Sequence, residues 1–297
     1  MGRRLSLLAL LATAAGAAIG MTGCARAPSP LAPHWAGSIG MPHRGVLTQA
    51  TELPAAGDGY RVLADNGRHF GTPRFVKALQ RAAAKVGRER PASTLTIGDL
   101  SARRGGRISS HSSHRTGRDA DLLLYTTTLE GVPVTSSGFV HVGPDGLAWD
   151  EGDKRFLRFD VEREWLLVKA LVEDPEARVQ WLFVSRAVEA MLIEWARARG
   201  ESGDTIVRAM DTLLQPAPPA QAHDDHLHVR IACDPEEVAA GCEPTGPVRP
   251  WIASLDRSPH ASEPTTLELV QSLVLPLDPL APTLAGVPSD ATTKNRD

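Results

Sequence analysis

His111-Ser-Ser-His114-Arg-Thr-Gly-Arg-Asp-Ala-Asp121 is the stretch that decides how this chain is read, and His223-Asp-Asp-His226-Leu-His228 is its counterpart further along. Five of the ten histidines fall in these two clusters, and a carboxylate closes the first. The run that follows, Leu-Leu-Leu-Tyr125, is strongly apolar, so Asp121 is expected at the start of a core strand and His114 in the turn before it. Gly117 between them lets the backbone fold back so that both side chains reach one point. In the second cluster, His226-Leu-His-Val-Arg-Ile-Ala232 reads as a strand, which turns His226 and His228 to one face. Burying a carboxylate and several imidazoles together is costly unless something binds them. Imidazole nitrogen with carboxylate oxygen is the ligand mixture that holds Zn²⁺ at a hydrolytic site, with three protein ligands and one position open for water. A histidine standing alone is better read as a core or surface residue, and His34, His43, His69, His141 and His260 are read that way.

At 297 residues the chain can bury a full core. Its charge is nearly balanced, 32 basic against 35 acidic residues, and no basic run occurs, so no nucleic-acid partner is expected. The start is a targeting segment: Arg3 and Arg4 precede an apolar stretch over residues 7–18 that is too short for an ordinary transmembrane helix. Gly20-Met-Thr-Gly-Cys24 resembles a lipobox, whose cysteine becomes the acylated first residue of a bacterial lipoprotein. Lipid on Cys24 would hold the protein on a membrane surface, in the periplasm and on the outer membrane. Met21 stands where leucine is more usual, which leaves a soluble periplasmic protein as the alternative. Cys233 and Cys242 form an even pair in an oxidising compartment, so a disulfide is expected. Zinc ligation by the two thiolates is the other reading, but further ligands for it are not seen. The expected division is a signal peptide over residues 1–23, a tether over 24–36, a folded domain over 37–255 and a Pro-, Ser- and Thr-rich, poorly ordered tail over 256–297.

Within the folded part, Gly45-Val-Leu-Thr-Gln, Tyr60-Arg-Val-Leu, Thr94-Leu-Thr-Ile-Gly-Asp and Val179-Gln-Trp-Leu-Phe-Val184 read as strands. A helix is expected from Pro73 to Gly87, with proline in its first turn and glycine at its end. Further helices are expected over 161–172 behind an Asp160 cap, over 187–199 ended by Gly200, and over 205–214.

The run from Ile97 through Asp121-Leu resembles the core motif of the penicillin-insensitive murein endopeptidases. So does His226-Leu-His-Val-Arg-Ile-Ala-Cys with Cys242 following, and residues 38–60 and Phe70-Gly-Thr-Pro-Arg are similar to that family's N-terminal part. The resemblance spans about Ser38 to Cys242. It implies an α+β fold of the kind shared with lysostaphin, zinc D-Ala-D-Ala carboxypeptidases and the hedgehog domain: a small antiparallel sheet with flanking helices and a zinc site on the sheet face. It implies His114, Asp121 and His228 as zinc ligands, with His111 as a further histidine at the metal. His226 matches a histidine beside the metal and is the expected proton shuttle or oxyanion stabiliser, with His223 as helper. Other family members hold a second metal through an Asp and a His between the clusters; this chain has no histidine between His141 and His223, so none is expected.

The resemblance further implies hydrolysis of peptidoglycan cross-links of the D-alanyl–meso-diaminopimelate type by zinc-activated water. The alternatives are a D-Ala-D-Ala carboxypeptidase or dipeptidase, or a non-catalytic peptidoglycan-binding lipoprotein. Arg103, Arg104, Arg107 and Arg118 are candidates for holding stem-peptide carboxylates, against the plainer reading of surface charge. Asp224 and Asp225 either orient the site imidazoles or are solvated loop charges.

Overall fold

Two adjacent strands with alternating side chains organise the fold. The computed structural model describes residues 37–251 apart from Ser93, Pro219 and Val248, and places these strands in the middle of a seven-stranded sheet. The signal segment, Cys24, the tether, the tail and the end of the expected folded domain lie outside the described residues. In chain order the strands are β1 (Ala56–Gly57), β2 (Tyr60–Val62), β3 (Leu95–Ile97), β4 (Asp119–Leu123), β5 (Val179–Phe183), β6 (Leu213–Leu214) and β7 (His226–Ile231). Across the sheet they run β6-β5-β7-β4-β3-β2-β1.

The central run β5-β7-β4-β3 is antiparallel, in line with the expected fold. The sheet is larger than expected, however, and mixed, because β2 pairs parallel with β3 and β5 parallel with β6. Each parallel pair is joined through helices, as a parallel connection requires. The helices are α1 (Pro73–Glu89), α2 (Val161–Glu173), α3 (Arg186–Ala198), α4 (Gly203–Thr212) and α5 (Pro235–Ala239). α1 links β2 to β3, and α3 with α4 links β5 to β6. A separate four-stranded antiparallel sheet orders Pro133–Val134, Thr126–Thr127, Arg155–Phe159 and Leu147–Asp150.

Side-chain caps start the helices. Thr72, Asp160, Ser185 and Ser202 accept from the backbone N–H three residues on, and Asp234 with Glu237 forms a reciprocal capping box on α5. Two helix ends differ from expectation. α1 runs through Gly87 and stops at Arg90, which is extended at φ −134° because it precedes Pro91. The helix expected to reach residue 214 ends at Thr212, whose hydroxyl back-bonds to the carbonyls of Arg208 and Ala209. Leu213 and Leu214 pair with Leu182 and Phe183 instead, so the sheet edge overrides helical propensity.

The core takes one face of the central strands. Ala120 and Leu122 of β4 and Leu227, Val229 and Ile231 of β7 join Phe75, Leu79 and Val86 of α1 and Trp165, Val168 and Leu171 of α2. The opposite face is polar: Asp119 and Asp121 on β4, and His226, His228 and Arg230 on β7. The register sets His228 directly across from Asp121 and Arg230 across from Asp119. Asp121 is therefore the third residue of its strand rather than its start. Cys233 and Cys242 are disulfide-bonded, tying the end of β7 to the turn after α5.

Candidate metal centre

The polar face of β4 and β7 collects every histidine of the two clusters. Asp121 is 2 % exposed, and its Oδ1 lies 3.0 Å from His228 Nδ1, 3.3 Å from His114 Nε2 and 3.4 Å from His226 Nε2. Its Oδ2 is 3.7 Å from His111 Nδ1. The ligand atoms of His111, His114 and Asp121 lie within 4.8 Å of one another, as do those of His223, His226 and His228.

Each ring is fixed through its other nitrogen. His114 Nδ1 donates to the Leu100 carbonyl at 2.6 Å, and His228 Nε2 bonds Asp119 Oδ1 at 3.0 Å. His226 Nδ1 bonds Asp225 at 2.6 Å, His111 Nε2 bonds Asp99 at 3.0 Å, and His223 Nδ1 donates to the Gln221 carbonyl at 2.8 Å. This is how metal-binding imidazoles are held: the outer nitrogen carries the proton and orients the ring, leaving the inner lone pair free. Of the two readings left open for these aspartates, Asp225 orients a site ring, whereas Asp224 pairs with His141 outside it.

The backbone beneath is strained and held. His114 sits in the left-handed region at φ 64° and His223 at φ 55°, conformations that persist only where surroundings fix them. For His114 those surroundings are Ser101, whose hydroxyl donates to the His114 carbonyl, and Asp119, which accepts from the His114 N–H. Ser101 Oγ also accepts from Gly117 N–H. Gly117 has φ 72°, and a Cβ there would come within 2.8 Å of Leu47, so only glycine fits the turn.

Electrostatics separate the groups. Burial would raise the Asp121 carboxyl, but His114 and His226 outweigh it and hold it well below the usual carboxylate range. Asp119 behaves likewise, with Arg230 and His228 opposing burial. Burial works against a charged His114, yet Asp121 and then Asp119 push it up to about 9. His226 is raised too, with Asp121 and Asp225 overcoming burial. His223 goes the other way, down to about 3, through burial and then the neighbouring His228 and His226.

These residues fit a divalent metal. His114 Nε2 and Asp121 Oδ1 are buried with no hydrogen-bond partner, a state that costs about 1–3 kcal/mol per group unless something else fills it. Ligands about 2.0–2.1 Å from a tetrahedral Zn²⁺ lie about 3.3 Å apart, close to the separations of His114 and His228 from Asp121.

Of the arginines singled out from the sequence, three are placed elsewhere. Arg118 is fully buried on the far side of β4's alternation, where it donates to Ser38 and to the carbonyls of Gly40, Ile231 and Glu243; it is structural. Arg103 lies over the Phe70 ring and 3.8 Å from Glu52. Arg104 is exposed, and its carbonyl takes the Leu47 N–H. Arg107 alone borders the site. Sequence reasoning missed Asp119, Asp99 and Ser101, and also Phe139, whose ring stands edge-on to His226 at 5.4 Å. Asp119 had a visible signal, since it lies two residues before Asp121 on the same strand face. A depression of about 780 Å³ between α1 and α2 is lined with ion-paired side chains such as Arg81 with Asp174, and holds no histidine.

Comparison with known proteins gives the family of the chain. The family model described as penicillin-insensitive murein endopeptidase matches residues 38–251. The protein of that name from Haemophilus influenzae is 29% identical over 229 residues, 74% of this chain and 71% of its own. Its namesake from Klebsiella pneumoniae is 30% identical over 248 residues, 83% of this chain and 82% of its own. One from Escherichia coli is 29% identical over 245 residues, 82% of each chain. With a match running over residues 38–251, nearly all of the described residues, the chain belongs to the penicillin-insensitive murein endopeptidase family.

Proposed function

We propose that this protein is a zinc-dependent murein endopeptidase that hydrolyses peptide cross-links of peptidoglycan, of the D-alanyl–meso-diaminopimelate type, on a fold of the hedgehog and D-Ala-D-Ala peptidase kind. The observation that carries the reading is the convergence of His114 and His228 on the buried, unpartnered oxygen of Asp121. His114, Asp121 and His228 hold the metal, with His111 as a further ligand when no substrate is bound. The names of its relatives support a murein substrate. Bound Zn²⁺ would supply a Lewis acid and bring a water molecule's pKa down towards about 7.

The remaining work falls to the chain itself. His226, tied to Asp225, presents Nε2 beside the Asp121 oxygen, where it takes the proton of the attacking water and delivers it to the leaving nitrogen. His223, kept neutral by its surroundings, supports it as an acceptor. Phe139 stands edge-on to the His226 ring and gives that side of the site a partly exposed apolar border.

The test is mass analysis of muropeptides released from sacculi, with metal content measured on the same sample. Zinc-loaded protein should release cross-linked peptides as monomers, and chelation or His114→Ala should abolish both metal and release. Intact sacculi after incubation with zinc-loaded protein would refute the reading. Release of terminal D-alanine alone would point to the carboxypeptidase alternative. We further propose that Cys24 is acylated and anchors the enzyme to a membrane in the periplasm; metabolic labelling with a fatty acid, lost in Cys24→Ala, checks this.

A further inference from the structure

Two depressions flank the histidine cluster and share His111, Asp121 and His226, but their charges differ. One, of about 370 Å³, carries Asp99 and Asp225 and a single arginine, Arg68, which is committed to Asp99 at 2.9 Å and to Ser109. The other, of about 380 Å³, is bordered by Arg107 and Arg115, and its only acidic lining residue is Asp121, whose carboxylate faces His114 and His228. Among the described residues neither Arg107 nor Arg115 is paired with a carboxylate, and the Arg115 Nε is buried without a hydrogen-bond partner. Positive charge accumulates here. Arg230 has Asp119 as its countercharge; Arg107 and Arg115 have none. Like charges gathered at a cleft without a countercharge favour an anionic ligand there.

We propose that Arg107 and Arg115 form a carboxylate-binding subsite that takes the leaving half of the scissile peptide and selects substrates whose released nitrogen sits beside a free carboxylate. The proposal rests on the hydrolytic reading above. Hydrolysis adds the hydroxyl of water to the acyl carbon and a proton to the departing nitrogen, so one half leaves as an acid and the other as an amine. In a D-alanyl–diaminopimelate bond the alanine carboxyl is consumed in the amide. The amine half keeps a carboxylate on the carbon that bears the scissile nitrogen. Only that half offers an anion next to the bond, and only one depression offers uncommitted guanidinium groups. The acyl half therefore lies over the depression with Asp99, Asp225 and Phe139. A terminal D-alanine leaving group has the same carboxylate and would satisfy the same subsite.

The experiment compares a dimeric muropeptide with the same dimer amidated at the leaving-half carboxylate, using zinc-loaded protein. Amidation should lower kcat/KM about 10- to 100-fold, mostly through KM, the scale of losing hydrogen bonds to a charged group. Arg107→Ala and Arg115→Gln should cost a similar factor on the free carboxylate and almost nothing on the amidated dimer. Equal losses on both dimers would mean the arginines act structurally, and would overturn the proposal. A second arm needs no turnover. The diaminopimelate-containing leaving peptide should bind in calorimetry, more weakly once amidated and more weakly to Arg107→Glu, whose exposed position spares the fold. Binding indifferent to both changes would overturn the subsite. If the enzyme cuts neither dimer, hydrolysis fails as a reading, and the calorimetric arm still decides the subsite by itself.

Discussion

Replacing Asp119 with asparagine should weaken both the fold and the metal site, and the two effects can be separated. Asp119 is fully buried and accepts from Arg230 Nε at 2.6 Å, His228 Nε2 at 3.0 Å and the His114 N–H at 3.2 Å. Asparagine keeps the shape but loses the charge, and its amide nitrogen must face at least one of those donors. Arg230, with 4 % of its side chain exposed, would then be an unpaired buried cation. Breaking one side of a buried pair costs about 3–5 kcal/mol, a large part of the ~5–15 kcal/mol that holds a typical domain folded. The same change frees the His228 ring to rotate, and loss of such an orienting partner lowers metal affinity about 10- to 100-fold. Urea unfolding of the chelated protein measures the first effect, and competitive zinc titration the second. Adding Arg230→Met should recover most of the stability, because no buried charge is left unpaired, but should leave zinc affinity low. The reasoning fails if Asp119→Asn costs under ~1 kcal/mol, or if Arg230→Met restores zinc binding along with stability.

Other expectations follow from neighbouring features. Burial pushes the Glu164 carboxyl up to about 8, against only the Tyr125 N–H, which stabilises its charge. Below its ordinary value of 4.5 both states hold the proton; between there and about 8 the unfolded chain loses it while the folded chain keeps it, so stability falls as pH rises through that window. The total is roughly 3–5 kcal/mol, and Glu164→Gln should flatten the dependence in urea midpoints taken at pH 5 and pH 8.5. His226→Ala should leave one zinc per chain yet lower kcat about 10²- to 10⁴-fold, as expected for a proton-transfer group; loss of the metal would reassign His226 as a ligand. Removing the disulfide by Cys233→Ser with Cys242→Ser should cost about 2–4 kcal/mol in unfolding without changing zinc stoichiometry.

The pair His226 and His228 was legible because it keeps a period of two, whereas the ligand set of His114, Asp121 and His228 rested on the family resemblance. The spacing of His226 and His228, followed by apolar partners, was enough to predict a strand with one metal-facing side, and the structure has that strand. Alternation also separates Arg118 from the site, since it falls out of phase with Asp119 and Asp121. What stayed hidden were partners defined only by tertiary contact. Asp99 reaches His111, and Ser101 reaches the His114 carbonyl, across a loop whose path no local pattern encodes. The parallel ladder of β5 with β6 was missed for a related reason: Leu213 and Leu214 carry no strand signature of their own and become one only by meeting β5.

The pairing of β7 with β4 has a practical corollary for anyone refolding this protein. A slip of a single residue between them would bring Leu122, not Asp121, opposite His228, and would swing the carboxylate into the hydrocarbon side of the layer. Misaligned conformers could keep their helices and much of their compactness while parting the side chains proposed to hold zinc. Zinc uptake per chain therefore gauges correct strand alignment in a preparation, and would expose a misassembled fraction that helical content alone would pass as native.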